Sequence, residues 1–177
     1  ETCITGLTCY CGNADSPLTT LLALGREAPL VVSLGATESD APWTREIANP
    51  RFLIDEGLPL ETLRTVSPFL VEPSDHPDFC DWIDVAWKRD AAVFFYHQQG
   101  IDQVHATLRK IVHQTAREKD ALPDQAPGVL GVYVPQIVRQ IMTTGPNDLA
   151  TLLMKDFAAI ATPGLAPNEW RIFSHMD

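Results

Sequence analysis

Cationic residues are scarce in this chain. Thirteen Lys and Arg stand against 23 Asp and Glu, for a formal net charge of −10 over 177 residues. A nucleic-acid partner calls for a clustered basic face, and an anionic membrane surface calls for the same; no Lys/Arg cluster is present, so neither partner is expected. Long apolar runs are missing too. None approaches the ~20 residues that cross a bilayer, so membrane insertion is not expected. The first residues, "ETCITGLTCYCGNADSP", carry no basic stretch followed by an apolar segment, so they do not read as a secretory leader. Four cysteines, at 3, 9, 11 and 80, are too few for a disulfide scaffold and fit a reducing cytoplasm. Neither internal repeats nor low-complexity tracts occur.

The usual catalytic signatures are absent as well. Around Ser33 the chain reads "VVSLG", with Val31 where a nucleophile elbow needs its first glycine. No phosphate-binding glycine loop, dinucleotide fingerprint or HExxH is found. The nearest approach to a metal set is Cys9-Tyr-Cys11 with His76-x-x-x-Cys80. Cys and His are zinc ligands, but structural sites prefer C-x₂₋₄-C pairs, so the bland reading of small core thiols is preferred. His105 and His113 lie ~80° apart on a helix and do not share a face. Asp75, Asp78, Asp81 and Asp84 recur every third residue. They read as a solvated helix start and face, because calcium loops need a tight glycine turn that is missing here. No cofactor and no metal are expected, and no catalytic residue is assigned.

What is present is a core. Apolar residues make up 45% and charged residues 20%, a globular balance in a chain long enough to bury a sizeable interior. Fourteen prolines set the rhythm. "ITGLTCYCG" predicts a strand with Leu7, Cys9 and Cys11 on one face, and "SPLTTLLALG" a short helix. "APLVVSLG" predicts a buried strand, "LPLETLRT" a helix near 58–65, and "VSPFLVEP" a strand for which Pro68 suggests an edge or a start. Phe79, Trp82, Ile83, Ala86 and Trp87 recur at helical spacing and read as core, with Asp81, Asp84 and Lys88 on the other side. The latter three are the candidate interaction surface. "AAVFFYHQ" predicts a central strand, and 100–120 a long helix with Ile101, Val104, Leu108, Ile111, Val112 and Thr115 inward. A strand over 129–133 leads into a helix over 135–142. "GPNDLATLLMKDFAAIA" reads as a helix with Leu149, Leu152, Leu153, Phe157 and Ile160 inward, and "EWRIFS" as a closing strand. Alternating elements predict an α/β fold: a mixed β-sheet flanked by helices in one unit over 1–177, with a parting into two lobes near residue 65 as an option.

One corner is unusual. Pro135 suits the first position of a helix, but Val134 before it has no side-chain acceptor to cap the helix. Val134 and Pro135 are therefore singled out as a structural motif.

The order of these segments resembles a known family, labelled "domain of unknown function 4123", whose members are adaptor chaperones of the bacterial type VI secretion system. The resemblance runs over residues 66–173. It starts at Ser67-Pro68-Phe69-Leu70-Val71-Glu72 and continues through the Trp-bearing helix from Phe79 to Trp87, "AAVFFYHQ" and "GIDQVHATLRKIV". It ends with the Tyr133-Val134-Pro135 corner and "QIVRQIM", then "GPNDLATLLMKDF" and the Trp-containing "NEWRIF". The family has Asp where Val134 stands, and its Arg in the preceding strand has no counterpart in "LGVY". The resemblance implies a cytoplasmic bacterial protein that binds a toxic effector and hands it to the valine-glycine repeat spike protein VgrG, without catalysis. An immunity protein that neutralises a toxin and a small hydrolase with an unrecognised site remain the alternatives.

Overall fold

The computed structural model describes residues 6–13, 30–34, 50–53, 57–74, 76–97, 99–117, 131–145 and 147–175. Among them are seven strands: β1 (Leu7–Asn13), β2 (Leu30–Leu34), β3 (Arg51–Phe52), β4 (Phe69–Val71), β5 (Ala92–Tyr96), β6 (Ala159–Pro163) and β7 (Glu169–His175). Five helices accompany them: α1 (Leu60–Val66), α2 (Pro77–Lys88), α3 (Ile101–Arg117), α4 (Pro135–Thr144) and α5 (Asn147–Met154). The helix expected over 16–25, the residues Val129 and Leu130, Asp75 and the His113 side chain lie outside the described residues.

The strands form one sheet in the order β1-β7-β6-β5-β2-β4-β3. The class is α/β, a sheet flanked by helices. Where a mixed sheet was expected, every ladder among the described residues is antiparallel. β1, β2 and β3, from the first part of the chain, hydrogen-bond into the same sheet as the later strands.

β5 is the middle strand, and its unbroken apolar run follows from cover on both faces. Side chains alternate along a strand. Ala92, Phe94 and Tyr96 join Phe79, Ile83, Ala86 and Trp87 of α2, together with Phe69, Val71 and Ala161. Val93 and Phe95 turn the other way, into a second cluster. That cluster takes Val104, Leu108, Ile111 and Val112 from α3, Val138, Ile141 and Met142 from α4, and Ala150, Leu153 and Met154 from α5. The α2 face is aromatic, with Trp87 and Phe94 ring centroids 5.0 Å apart and Trp82 stacked on Phe69. Each large side chain fully buried there contributes about 2 kcal/mol. The edge strand β3 is tied to α3 by Arg51–Asp102 at 3.1 Å and by His105 Nε2, which donates to the Phe52 carbonyl at 2.6 Å.

Three expectations need correction. The helix read over 145–161 stops at Met154. Phe157 still faces the core, but Ala159–Pro163 is strand β6, with Ala158 N–H donating to Tyr96 O at 2.8 Å. A short Ala-rich apolar run is ambiguous by periodicity, and the slot between β5 and β7 decides it. Leu152, expected inward, is exposed on α5. Residues 131–134 form a turn, closed by Val134 N–H to Gly131 O at 2.8 Å, so the strand expected there is absent from the described part of 129–133. Pro68 stands at the start of β4, which is an inner strand.

Candidate functional site

The C-terminal end of α2, the middle of α4 and the turn between β6 and β7 surround a cleft of about 540 Å³. Each wall has a local cause. α2 ends in a double hydrogen-bonded turn: Ala91 N–H donates to Ala86 O at 2.9 Å and Asp90 N–H to Trp87 O at 3.1 Å. This is the Schellman arrangement, in which the residue after the cap takes the left-handed conformation and is usually glycine. Here it is Asp90, at φ 57°. A β-carbon there costs about 1 kcal/mol, which the structure tolerates because the side chain has a partner.

That partner is Arg139, buried on α4. Its Nη1 and Nη2 donate to the two Asp90 carboxylate oxygens at 2.7 Å each, and Nη1 also donates to the Pro163 carbonyl at 2.7 Å. One guanidinium thus joins α2, α4 and the end of β6 through bidentate, charge-assisted bonds. Across the cleft, Glu169 opens β7. Its Oε2 accepts from Leu165 and Ala166 N–H at 3.1 and 2.9 Å, and its Oε1 accepts from Arg171 Nε at 3.1 Å. The Ala166 amide bond, helped by Arg171, holds the Glu169 carboxyl below the usual carboxylate range against the opposing effect of burial. The closed turn presents Leu165 at 74% exposure, the most exposed of the large apolar side chains described.

Asp84 and Lys88, expected as a surface, line this cleft and pair with each other one helical turn apart. Asp81 is exposed on the same helix and does not line it. Three carboxylates in the cleft wall therefore each have a cation: Asp84 with Lys88, Asp90 with Arg139, Glu169 with Arg171. Carboxylates so occupied suit recognition and rigidity better than proton transfer.

Tyr133, Val134 and Pro135 lie at the entry to α4. Val134 is the cap residue, with φ −99° and ψ 114° and no side-chain cap bond, and Pro135 follows as the first helical residue. Tyr133 packs against the second cluster, and burial pushes its hydroxyl pKa up. The corner leads directly to Arg139, one turn further along α4.

The considered metal set is not assembled. Cys9 lies with the α3–α5 cluster, whereas His76 and Cys80 belong to α2 on the opposite face of the sheet. His76 instead caps α2, its Nδ1 accepting from Asp78 N–H at 3.3 Å, and Cys80 Sγ–H points to Ser74 O at 3.8 Å. Among the described residues no group of three or more His, Cys, Asp or Glu is placed to hold a metal ion. No described helix is long and apolar enough to cross a membrane.

Asp90, Arg139 and Glu169 were not found from sequence. Arg139 and Asp90 are 49 positions apart. The only local signal was an aspartate where a helix stop favours glycine. Compared with family models, curated proteins and solved structures, the chain finds no match.

Proposed function

We propose that the protein is an adaptor chaperone of type VI secretion, which binds a cognate toxic effector in the bacterial cytoplasm and loads it onto the VgrG spike without catalysing a reaction. The observation that carries this reading is the ordered run of elements from Ser67 to Phe173. It consists of a strand beginning after Pro68, a Trp-bearing helix, a buried aromatic strand, an amphipathic helix, a Tyr-x-Pro helix entry, a short helix, the strand β6 and a Trp-containing strand. The antiparallel hairpin of β6 and β7 supports it by presenting Leu165 on a rigid turn beside a cleft of satisfied ion pairs. Rigid, partly apolar surfaces suit protein partners, and ~800 Å² per partner suffices for a stable complex.

The test is genetic and biochemical together. Deletion of the gene should block export of one effector and leave other effectors unaffected, and the purified protein should bind both that effector and VgrG. Unchanged export on deletion would refute the reading. Binding to a toxin with no binding to the spike would replace it with a neutralising role.

A further inference from the structure

β1 is the edge strand of the sheet, paired only with β7 among the described residues. Positions two apart on a strand share a face, so Cys9 and Cys11 project to the same side. Cys11 is exposed and Cys9 half-buried. Their sulfurs lie 3.8 Å apart. A zinc–thiolate bond is ≈ 2.3 Å, so an ion bonded to both sulfurs at their present separation would subtend an S–metal–S angle of about 110°, the tetrahedral value. The two thiols already occupy adjacent corners of such a site.

The obvious competing fate fits less well. Residues two apart on an extended strand have α-carbons ~6.6–6.8 Å apart, at the far end of the disulfide range. Closing a disulfide would bend β1 away from its ladder with β7. Binding an ion needs no such movement.

We propose that Cys9 and Cys11 form a bidentate dithiolate site for a thiophilic divalent ion of the zinc class, one ion per chain. The remaining coordination positions are filled by water or an external ligand, reached from the side of the exposed Cys11. Binding replaces two S–H bonds with two S–metal bonds and releases both protons to solvent, so it strengthens as pH rises. His76 and Cys80 take no part, being across the sheet. With two protein ligands at a sheet edge the ion is acquired by a folded protein, and the fold stands without it.

Cobalt(II) is the probe, because its thiolate complexes give a near-ultraviolet charge-transfer band and its visible bands report tetrahedral geometry. Reduced, metal-free protein titrated with cobalt(II) should develop both signals, saturate at one ion per chain, and lose them on addition of zinc(II). Cys11→Ser, at an exposed position, should abolish the charge-transfer band while its thermal unfolding matches the parent protein. Cys3→Ser and Cys80→Ser should retain it. A band that is absent from the parent, survives Cys11→Ser, vanishes equally in Cys3→Ser or Cys80→Ser, or saturates at one ion per two chains would overturn the proposal. So would global unfolding on addition of a chelator.

Discussion

α2 and α4 both begin with proline and both pack a buried face onto the sheet, yet they are held in different ways. α2 is closed locally at each end. His76 accepts a first-turn amide, Asp78 stands in the first turn, Lys88 in the last, and a Schellman turn ends it. α4 has no side-chain cap, no acid in its first turn and no base in its last. Its Thr143 and Thr144 hydroxyls donate back to the Arg139 and Gln140 carbonyls at 2.8 and 3.2 Å, a pattern that adds little to helix stability. Local chemistry therefore specifies α2, whereas tertiary contacts specify α4: Val138, Ile141 and Met142 in the core, and Arg139 clasping Asp90. The two helices meet through that clasp, so the locally weak helix is anchored to the end of the locally strong one.

The sharpest way to break this contrast is at the clasp. Arg139→Ala should destabilise the protein by about 3 kcal/mol, read as a lower denaturant midpoint. The figure sits at the low end for a broken buried pair because the Asp90 side chain is 40% exposed and regains water. Asp90→Gly should cost a similar amount: it relieves the left-handed β-carbon, but it leaves the buried Arg139 guanidinium without its carboxylate, held by the Pro163 carbonyl. A double-mutant cycle should show coupling well above the error of addition. Equal midpoints for Arg139→Ala and the parent would mean that α4 is held by its apolar face alone.

The same contrast explains what could be read from the sequence. α2 was legible because its acids and its aromatic spacing lie within a dozen or so residues, although its caps were not read. β5 was legible because a strand covered on both faces is apolar throughout. α4 was legible from Pro135 and the spacing of Val138, Ile141 and Met142, but its anchor was not: nothing near Arg139 in the chain names Asp90 as its partner. β6 was misread for a related reason. "AAIA" has no local preference strong enough to decide between helix and strand, and only β5 and β7 on either side do so. The cleft inherits this limit, because its three ion pairs include one within a helix, one within a strand and one that spans the fold. Only the first, Asp84 with Lys88, was foreseen as a surface, and its pairing is a surface interaction of ~0–1 kcal/mol.

A smaller effect tests whether α2 is in fact specified locally. His76→Ala removes the acceptor of the Asp78 amide and should cost about 1 kcal/mol, the usual loss for a helix cap. The consequence should be confined to the first turn of α2. Amide hydrogen exchange there should accelerate, while the β5 amides change only by the global amount. Equal acceleration through α2 and β5, with a loss far above that figure, would show that the start of α2 is coupled to the core and that the contrast between the helices is false.

The smallest effect sharpens the comparison by giving α4 what α2 has. Val134 already holds the extended backbone of a cap residue, and Val138 N–H donates to its carbonyl at 3.1 Å. The amides of Gln136 and Ile137 have no acceptor within the helix, because they belong to its first turn. Val134→Asp would place a carboxylate beside them and a negative charge at the positive end of the helix dipole, together worth about 1 kcal/mol in favour. The opposing cost is packing. Val134 is half-buried, and its Cγ2 lies 3.2 Å from where a β-carbon on Gly131 would be, so the valine methyls fill the turn that the aspartate would leave looser. A partly buried methyl pair is worth less than a fully buried one, and a half-exposed carboxylate keeps water, so capping wins by a margin of about 0.5 kcal/mol. The expected result is a slightly higher denaturant midpoint with an unchanged slope. A lower midpoint would mean that the methyls of Val134 matter more to this corner than a cap does, and that α4 enters the fold through packing at its first residue as well as through Arg139.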